Sequence, residues 1–467
     1  MTTRTTANGA IQSLISVRTQ QSAFGRALAE EIAGLWVLDA HEHLEEEPER
    51  AALAQDCFYL TSHYCNADLL SAGMPKEHVD GLLDRTIPLD QRWATFAPYW
   101  EYARTTGYGQ AVNLAGREVF GVDELTADTY QTLSQRVAAS AGQPGWYEHI
   151  LKDKARFIGC VLDGWRREAD PRHFFLVLRF DPMITARTPQ QIRDLWECRE
   201  REIGSLADYL AAMDAAMDAY VRMGVVALKC GLAYRRTLRF ERVPRADAER
   251  LFARALRDDL PDADATPLQD YLFHEVCDRA GRAGAHGLPY QIHTGLQAGN
   301  WGAQIQNTNP ALLTNTLHDH PQTRFDLFHG GYPYGGELAT LAKNFPNTYV
   351  NACWLAIIAP TVLRRMLHEW LDTVPHNKIQ AFGGDYRHVE LAYAHSLMAR
   401  AAVADVLAER VEQRLLDEHD APLLARRLLA DNGLALYTIP PDRVAEMTAP
   451  AAGTAGAATP IAATSRM

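Results

Sequence analysis

A chain of 467 residues, 47% hydrophobic and 22% charged, has the apolar content to bury a large core, either as two ordinary domains or as one α/β barrel with insertions. Its formal net charge of -12 argues against nucleic acid or anionic lipid as a general partner, because both demand clustered Lys and Arg. The seven scattered cysteines show no CxxC pair, and no stretch reaches the ~18 apolar residues of a spanning helix, so a thiolate zinc site, a disulfide framework and a membrane location are not expected.

The opening MTTRTTANGAIQSL lacks a charged-then-apolar leader pattern, and with unpaired cysteines this points to a reducing cytoplasm. Residues 1–34 read as a polar start followed by a helix, because the apolar residues of SAFGRALAEEIAGL recur at helical spacing. LWVLDAH at 35–41 is a short apolar run that breaks into the polar HEHLEEEPE, as a buried parallel strand does where it opens into a loop.

From about Glu45 to Lys154 the chain is aromatic-rich and irregularly helical, which reads as an insertion after the first strand. His63, Tyr64, Trp93, Trp100, Tyr102 and Arg104 are candidates for a lid over a pocket or for the insertion's own core. Seven further strand-like runs follow, separated by helical segments: ARFIGCVLD, FFLVLRFD, MGVVALKCG, LPYQIHTG, RFDLFHGG, NTYVNACW and KIQAFGGD. Eight strands alternating with helices predict a (β/α)8 TIM barrel spanning residues 35–448, with the insertion at 45–154. No GxGxxG follows the first strand, which disfavours an open doubly wound sheet. The helical segments VELAYAHSLMARAAVADVLAERV and DEHDAPLLARRLLADNGLALY are expected to close the barrel, and the Ala/Gly/Thr-rich tail from Ala449 to be disordered.

Five metal-competent residues fall at the C-terminal ends of four predicted strands: His41 and His43, His293, His329 and Asp385. Alternate residues of a strand point the same way, so both imidazoles of His-Glu-His can reach one ion while Glu42 faces away. A barrel gathers its strand ends around one mouth, and three or four His/Asp ligands with an open position make a catalytic site. Asp385, in FGGDYRH, suits both ligand and general base. Lys229 is either a carbamylated bridge between two metals or an ammonium for an anionic substrate, and Tyr234, Arg235 and Arg236 follow it in a loop where an Arg can grip a carboxylate.

Together these motifs resemble the amidohydrolase superfamily, in particular the amidohydrolase-2 branch with the FluG/nodulin-like proteins and, more distantly, the uronate isomerases. LDAHEHL matches the first-strand HxH motif, and residues from about 225 to 385 are similar to the FluG-type domain in order and spacing. The resemblance implies metal-ligand roles for His41, His43, His293 and Asp385. His329 becomes a second-metal ligand or a hydrogen-bond partner of substrate. The implied cofactor is Zn2+, or another divalent ion such as Mn2+, as one or two ions, and a homo-oligomer is expected.

The expected reaction is hydrolysis of an amide or related C-N bond in a small carboxylate-bearing substrate, with Lys229, Tyr234 and Arg235 binding it and Asp385 and His329 catalytic. Non-oxidative decarboxylation of an aromatic or enoic acid, sugar-acid isomerisation and a non-catalytic binding barrel are the alternatives. The length and the insertion resemble uronate isomerases, while the strand-four and strand-five motifs do not.

Overall fold

Strands that are apolar on both faces need helices outside and packed side chains inside. The computed structural model, described over residues 3–164 and 168–449, meets that demand with eight parallel strands that pair in chain order. They are β1 (Val37–Glu42), β2 (Phe157–Asp163), β3 (Phe174–Arg179), β4 (Ala227–Cys230), β5 (Tyr290–Ile292), β6 (Phe325–Leu327), β7 (Thr348–Asn351) and β8 (Ile379–Gln380). Each falls on one of the eight apolar runs read from the sequence, β1 extending one residue past its run to Glu42, and the fold is the expected TIM barrel.

The ladder stops at the two-residue β8. Backbone bonds just beyond it close the seam to β1: Asp385 N–H donates to His41 O (2.8 Å), and His43 N–H donates to Tyr386 O (3.0 Å). The closure therefore lays the segment carrying Asp385 directly along the histidines of β1.

Inside the barrel, Leu38, Ala40, Val161, Val177 and Ala227 pack with Leu436, Tyr437, Ile439 and Met447, which plug the end remote from His41 and His43. The opposite, C-terminal end of the strands is left for the site. Helices Thr3–Leu14, Val17–Gln21 and Ala23–Gly34 precede β1, the last two begun by the side chains of Ser16 and Ser22 accepting backbone N–H bonds.

Between β1 and β2 the chain forms a run of helices from Glu47–Leu53 to the π-helix Glu148–Lys154. The helix Val389–Glu412 is buried on all sides and packs against Ala23–Gly34, Gly107–Phe120 and Pro360–Thr373, which explains a sequence with no polar stripe. Its Glu390 carboxylate accepts from Arg50, Tyr59 and Trp146, so one buried acid ties the inserted helices to the barrel. The expectation for the tail falls, from residue 450, outside the described residues. No described helix is long and apolar enough to cross a membrane, and all seven cysteines are free and buried.

Candidate metal centre

His41 near the end of β1 and His43 just beyond it bring their rings together, with centroids 4.9 Å apart. Asp385 meets them across the seam. Its Oδ1 lies 3.2 Å from His43 Nε2 and 3.8 Å from His41 Nε2. Gly384 permits this approach, because a Cβ there would stand 1.7 Å from Glu42 Oε1.

The hydrogen bonds show that this trio suits a cation. His43 Nδ1 lies 2.7 Å from the Asp163 carbonyl, which can only accept, so Nδ1 carries the proton and Nε2 turns its lone pair toward the Asp385 carboxylate. Positive charge is needed between Nε2 and that carboxylate, a proton in the metal-free site or a cation in its place. His41, His43 and Asp385 have ligand atoms within 4.8 Å of one another, so the donor set of two imidazoles and a carboxylate fits a divalent ion.

Electrostatics favour the same state. Burial, reinforced by Lys229, holds the His41 imidazole well below its usual value and therefore neutral. Burial alone would raise the Asp385 carboxyl, but the histidines around it, His43 first, outweigh that and hold it well below the carboxylate range. The carboxylate is ionised and the His41 lone pair is available, as metal binding requires; burial would lower the His43 imidazole, but its bond to Asp385 and the nearby Asp163 outweigh that and raise it, so a cation there displaces a proton.

The remaining predicted residues divide. His293 is not brought into the trio: its Nε2 lies 2.8 Å from Leu296 O and its Nδ1 2.9 Å from His329 Nε2. His329 sits on the other side of Asp385, with Nδ1 3.7 Å from Oδ2. Lys229 is buried at the centre of the barrel mouth, its Nζ 3.7 Å from the Phe328 ring centroid and without a hydrogen bond, and burial lowers its pKa. Tyr234 packs its ring on His293 and accepts from Ala298 N–H. Arg235 is not brought to the histidines: it lines a separate cleft with Arg179 and Asp181 at the ends of β3 and β4.

The inserted aromatics also divide. His63 and Tyr64 reach the mouth, Tyr64 stacking on Trp354 and His63 lining the cavity beside His43. Trp93 and Trp100 build the insertion's own core with Tyr130 and Phe96, and Tyr102 and Arg104 lie on its outer surface.

That cavity, about 750 Å³, holds the groups that sequence reasoning missed: Asp163 and Arg387 line it together with His43 and His63. Asp163 ends β2 and takes a two-pronged bond from Arg179 at the end of β3, while Arg387 pairs with Glu45. For Asp163 the available signal was its position at the end of β2. Beneath them Asp39 accepts from Gly384 N–H (2.9 Å) and Glu42 from Tyr386 N–H (2.6 Å), which fixes the turn that carries Asp385. Burial pushes Asp39 up to about 6, and burial with Asp39 beside it raises Glu42 well above its usual value, so the pair holds a proton near neutrality.

The amidohydrolase family model matches residues 187–439, more than half of the chain and all strands from β4 to β8. The chain belongs to the amidohydrolase family. As a member it is a metal-dependent enzyme of that superfamily, with a His/Asp grouping that could hold the ion. It is 27% identical over 257 residues to protein FluG of Emericella nidulans, a match covering 52% of this chain and 28% of FluG. It is 25% identical over 442 residues to a uronate isomerase of Rhizorhabdus wittichii, covering 86% of this chain and 92% of that protein. Among solved structures, the glucuronate isomerase of Caulobacter crescentus superposes with a TM-score of 0.74 at 19% identity, over 92% of this amidohydrolase and 97% of that chain.

Proposed function

We propose that this amidohydrolase is a metal-dependent isomerase that interconverts the aldehyde and ketone forms of a uronate. The extent of likeness carries the reading: two uronate isomerases align over 92% and 96% of their own lengths, whereas the FluG match covers 28% of FluG. The earlier expectation of C-N hydrolysis gives way to the alternative that the length and the insertion suggested.

The site supports that chemistry. Arg387 lines the same cavity as His43 and offers a forked donor to a sugar carboxylate, with Glu45 holding the guanidinium in place. His41, His43 and Asp385 would hold the divalent ion, zinc or manganese, which when bound polarises the carbonyl and acidifies the adjacent C–H. Asp385 takes the proton from the carbon next to the carbonyl and returns it to the former carbonyl carbon. His63, kept neutral by burial that pushes it down to about 3, passes the hydroxyl proton from one oxygen to its neighbour. One C–H and one O–H bond are broken and one of each is made, and water is neither consumed nor released. Tyr64 and Trp354, stacked over the mouth, exclude bulk water from the proton path.

Hydrolysis is the second reading, favoured by the family match itself and by FluG. In that case Asp385 takes the proton of an attacking water and hands it to a leaving amine.

The deciding experiment incubates the metal-loaded protein with glucuronate or galacturonate in D2O and follows the product by NMR. A ketose is expected, with the hydrogen delivered to its first carbon largely retained from the substrate and not exchanged for solvent deuterium. No conversion of either uronate, with amine released from carboxylate-bearing amides, would replace isomerisation by hydrolysis.

A further inference from the structure

A second cavity, of about 380 Å³, opens off the first, and the two share Glu45, Leu53, His63 and Arg387. The insertion after β1 supplies all of its lining except Arg387 and His388, so the inserted helices wall a chamber beside the candidate metal centre. A single six-carbon sugar acid is smaller than the drug-sized ligands that cavities of this size enclose, and the first cavity, of about 750 Å³, already has room for it. Isomerisation of one uronate leaves the second chamber unused.

Three polar groups lining that chamber have unused bonding capacity. The Ser62 hydroxyl donates to the Tyr59 carbonyl (2.7 Å), so His388 Nε2, 2.8 Å from Ser62 Oγ, is the donor of that pair. Burial keeps the His388 imidazole neutral, which leaves its Nδ1 a buried lone pair without a hydrogen-bond partner among the described residues. The Asn66 side-chain amide, half-buried on the helix Cys65–Ser71, makes no hydrogen bond to the described residues. Arg85 gives one N–H to the Ala52 carbonyl (3.1 Å) and has no carboxylate partner among them. The acids nearby are already matched, Asp56 with Arg92 and Glu45 with Arg387, so the charge on Arg85 is uncompensated. Leu53 and Leu83, 40% and 48% exposed, bring apolar surface to the same lining. Apolar side chains among a few unpaired polar groups suit the mixed C–H and O–H surface of a sugar ring.

We infer that this chamber binds a second, acidic sugar, so that the substrate is a uronate carrying another uronate near its carboxylate end. The inference rests on the isomerase reading for the ring that reacts. His41, His43 and Asp385 define the carbonyl end of that ring and Arg387 its carboxylate end. Because Arg387 lines both cavities, a substituent close to the carboxylate emerges into the second. There the Arg85 guanidinium meets the second carboxylate as a forked donor. Asn66 and His388 Nδ1 bond its hydroxyls, the latter as acceptor, and the leucines cover its carbon face. The bond joining the sugars stays intact, since only the ring with a free aldehyde isomerises, and the product is a dimer ending in a ketose.

The test compares galacturonate with its dimer, joined through the fourth carbon of the reducing-end ring, as substrates of the metal-loaded full chain, with ketose formation followed by NMR. Wild-type protein is expected to convert the dimer with kcat/KM about tenfold or more above that of the monomer, as a hydrogen bond to a charged group allows. Arg85→Met is expected to bring that ratio toward one. Equal kcat/KM for monomer and dimer in wild type overturns the second sugar site and leaves isomerisation standing. An equal gain from a neutral second sugar, joined at the same position, overturns its acidic character. Where neither substrate is converted, isomerisation falls, and calorimetry decides the chamber by itself: tighter binding of the dimer than of the monomer, lost in Arg85→Met, upholds it, and equal binding overturns it.

Discussion

His43 Nε2 and Asp385 Oδ1 stand 3.2 Å apart at the barrel mouth, although they come from opposite ends of the sheet, and the proton on His43 Nδ1 is committed to the Asp163 carbonyl. This pair is where the barrel closes and where positive charge is needed. Ligand geometry and barrel closure are therefore set by the same contact, which makes the site rigid where β8 is shortest.

Asp385→Asn keeps the shape and removes the base. Turnover of uronate is expected to fall on the order of 10²–10⁴-fold, with an unchanged far-ultraviolet circular dichroism spectrum. Near-normal kcat in this variant would remove Asp385 from the proton path.

His43→Ala removes one of the two imidazoles from the candidate site of His41, His43 and Asp385. Elemental analysis after dialysis is expected to show bound metal reduced by about one ion per chain, with activity lost in parallel. Retention of full metal content would move the ligand set elsewhere.

Arg387→Met tests carboxylate recognition. Loss of a hydrogen bond to a charged group is worth about 1.5–3 kcal/mol, so KM for a uronate is expected to rise at least tenfold while metal content stays constant. An unchanged KM would assign the carboxylate to another cation, with Lys229 the next to test.

Arg50→Met leaves the Glu390 carboxylate buried without its cation. A loss of about 3–5 kcal/mol is expected, read as a lower midpoint in urea unfolding. The Trp146 indole and Tyr59 hydroxyl still donate to Glu390, so a smaller loss would show that they suffice.

Acid lability follows from His274, which is remote from the metal centre. It is buried in the helix Asp262–Arg282 and hydrogen-bonded to His320 (2.7 Å), which in turn bonds Asp278. Burial depresses its pKa from 6.5 to about 4. The folded state thus disfavours the proton that the unfolded chain accepts. The stability contributed is complete above pH 6.5 and is lost as the pH falls toward 4. The melting temperature is expected to drop across that window, and less steeply in His274→Asn, whose amide keeps a donor toward His320. Parallel slopes in the two proteins would clear His274 of the effect.

The amino-acid sequence by itself determined the eight strands, their parallel sense and the strand-end placement of His41, His43, His329 and Asp385. Those features are local: a run apolar on both faces has one stable environment, and alternation along a strand fixes which residues share a side. Only the tertiary structure decided which strand-end residues meet. The seam between β8 and β1 put Asp385 on the His43 side chain, while the Leu296 carbonyl turned His293 away. The same long-range packing brought Arg387, and not Arg235, to the cavity, and sorted His63 and Tyr64 onto the mouth while Trp93 and Trp100 went into a core. Hydrogen-bond partners across a barrel depend on closure, strand register and loop path, and no local pattern in the chain carries that information.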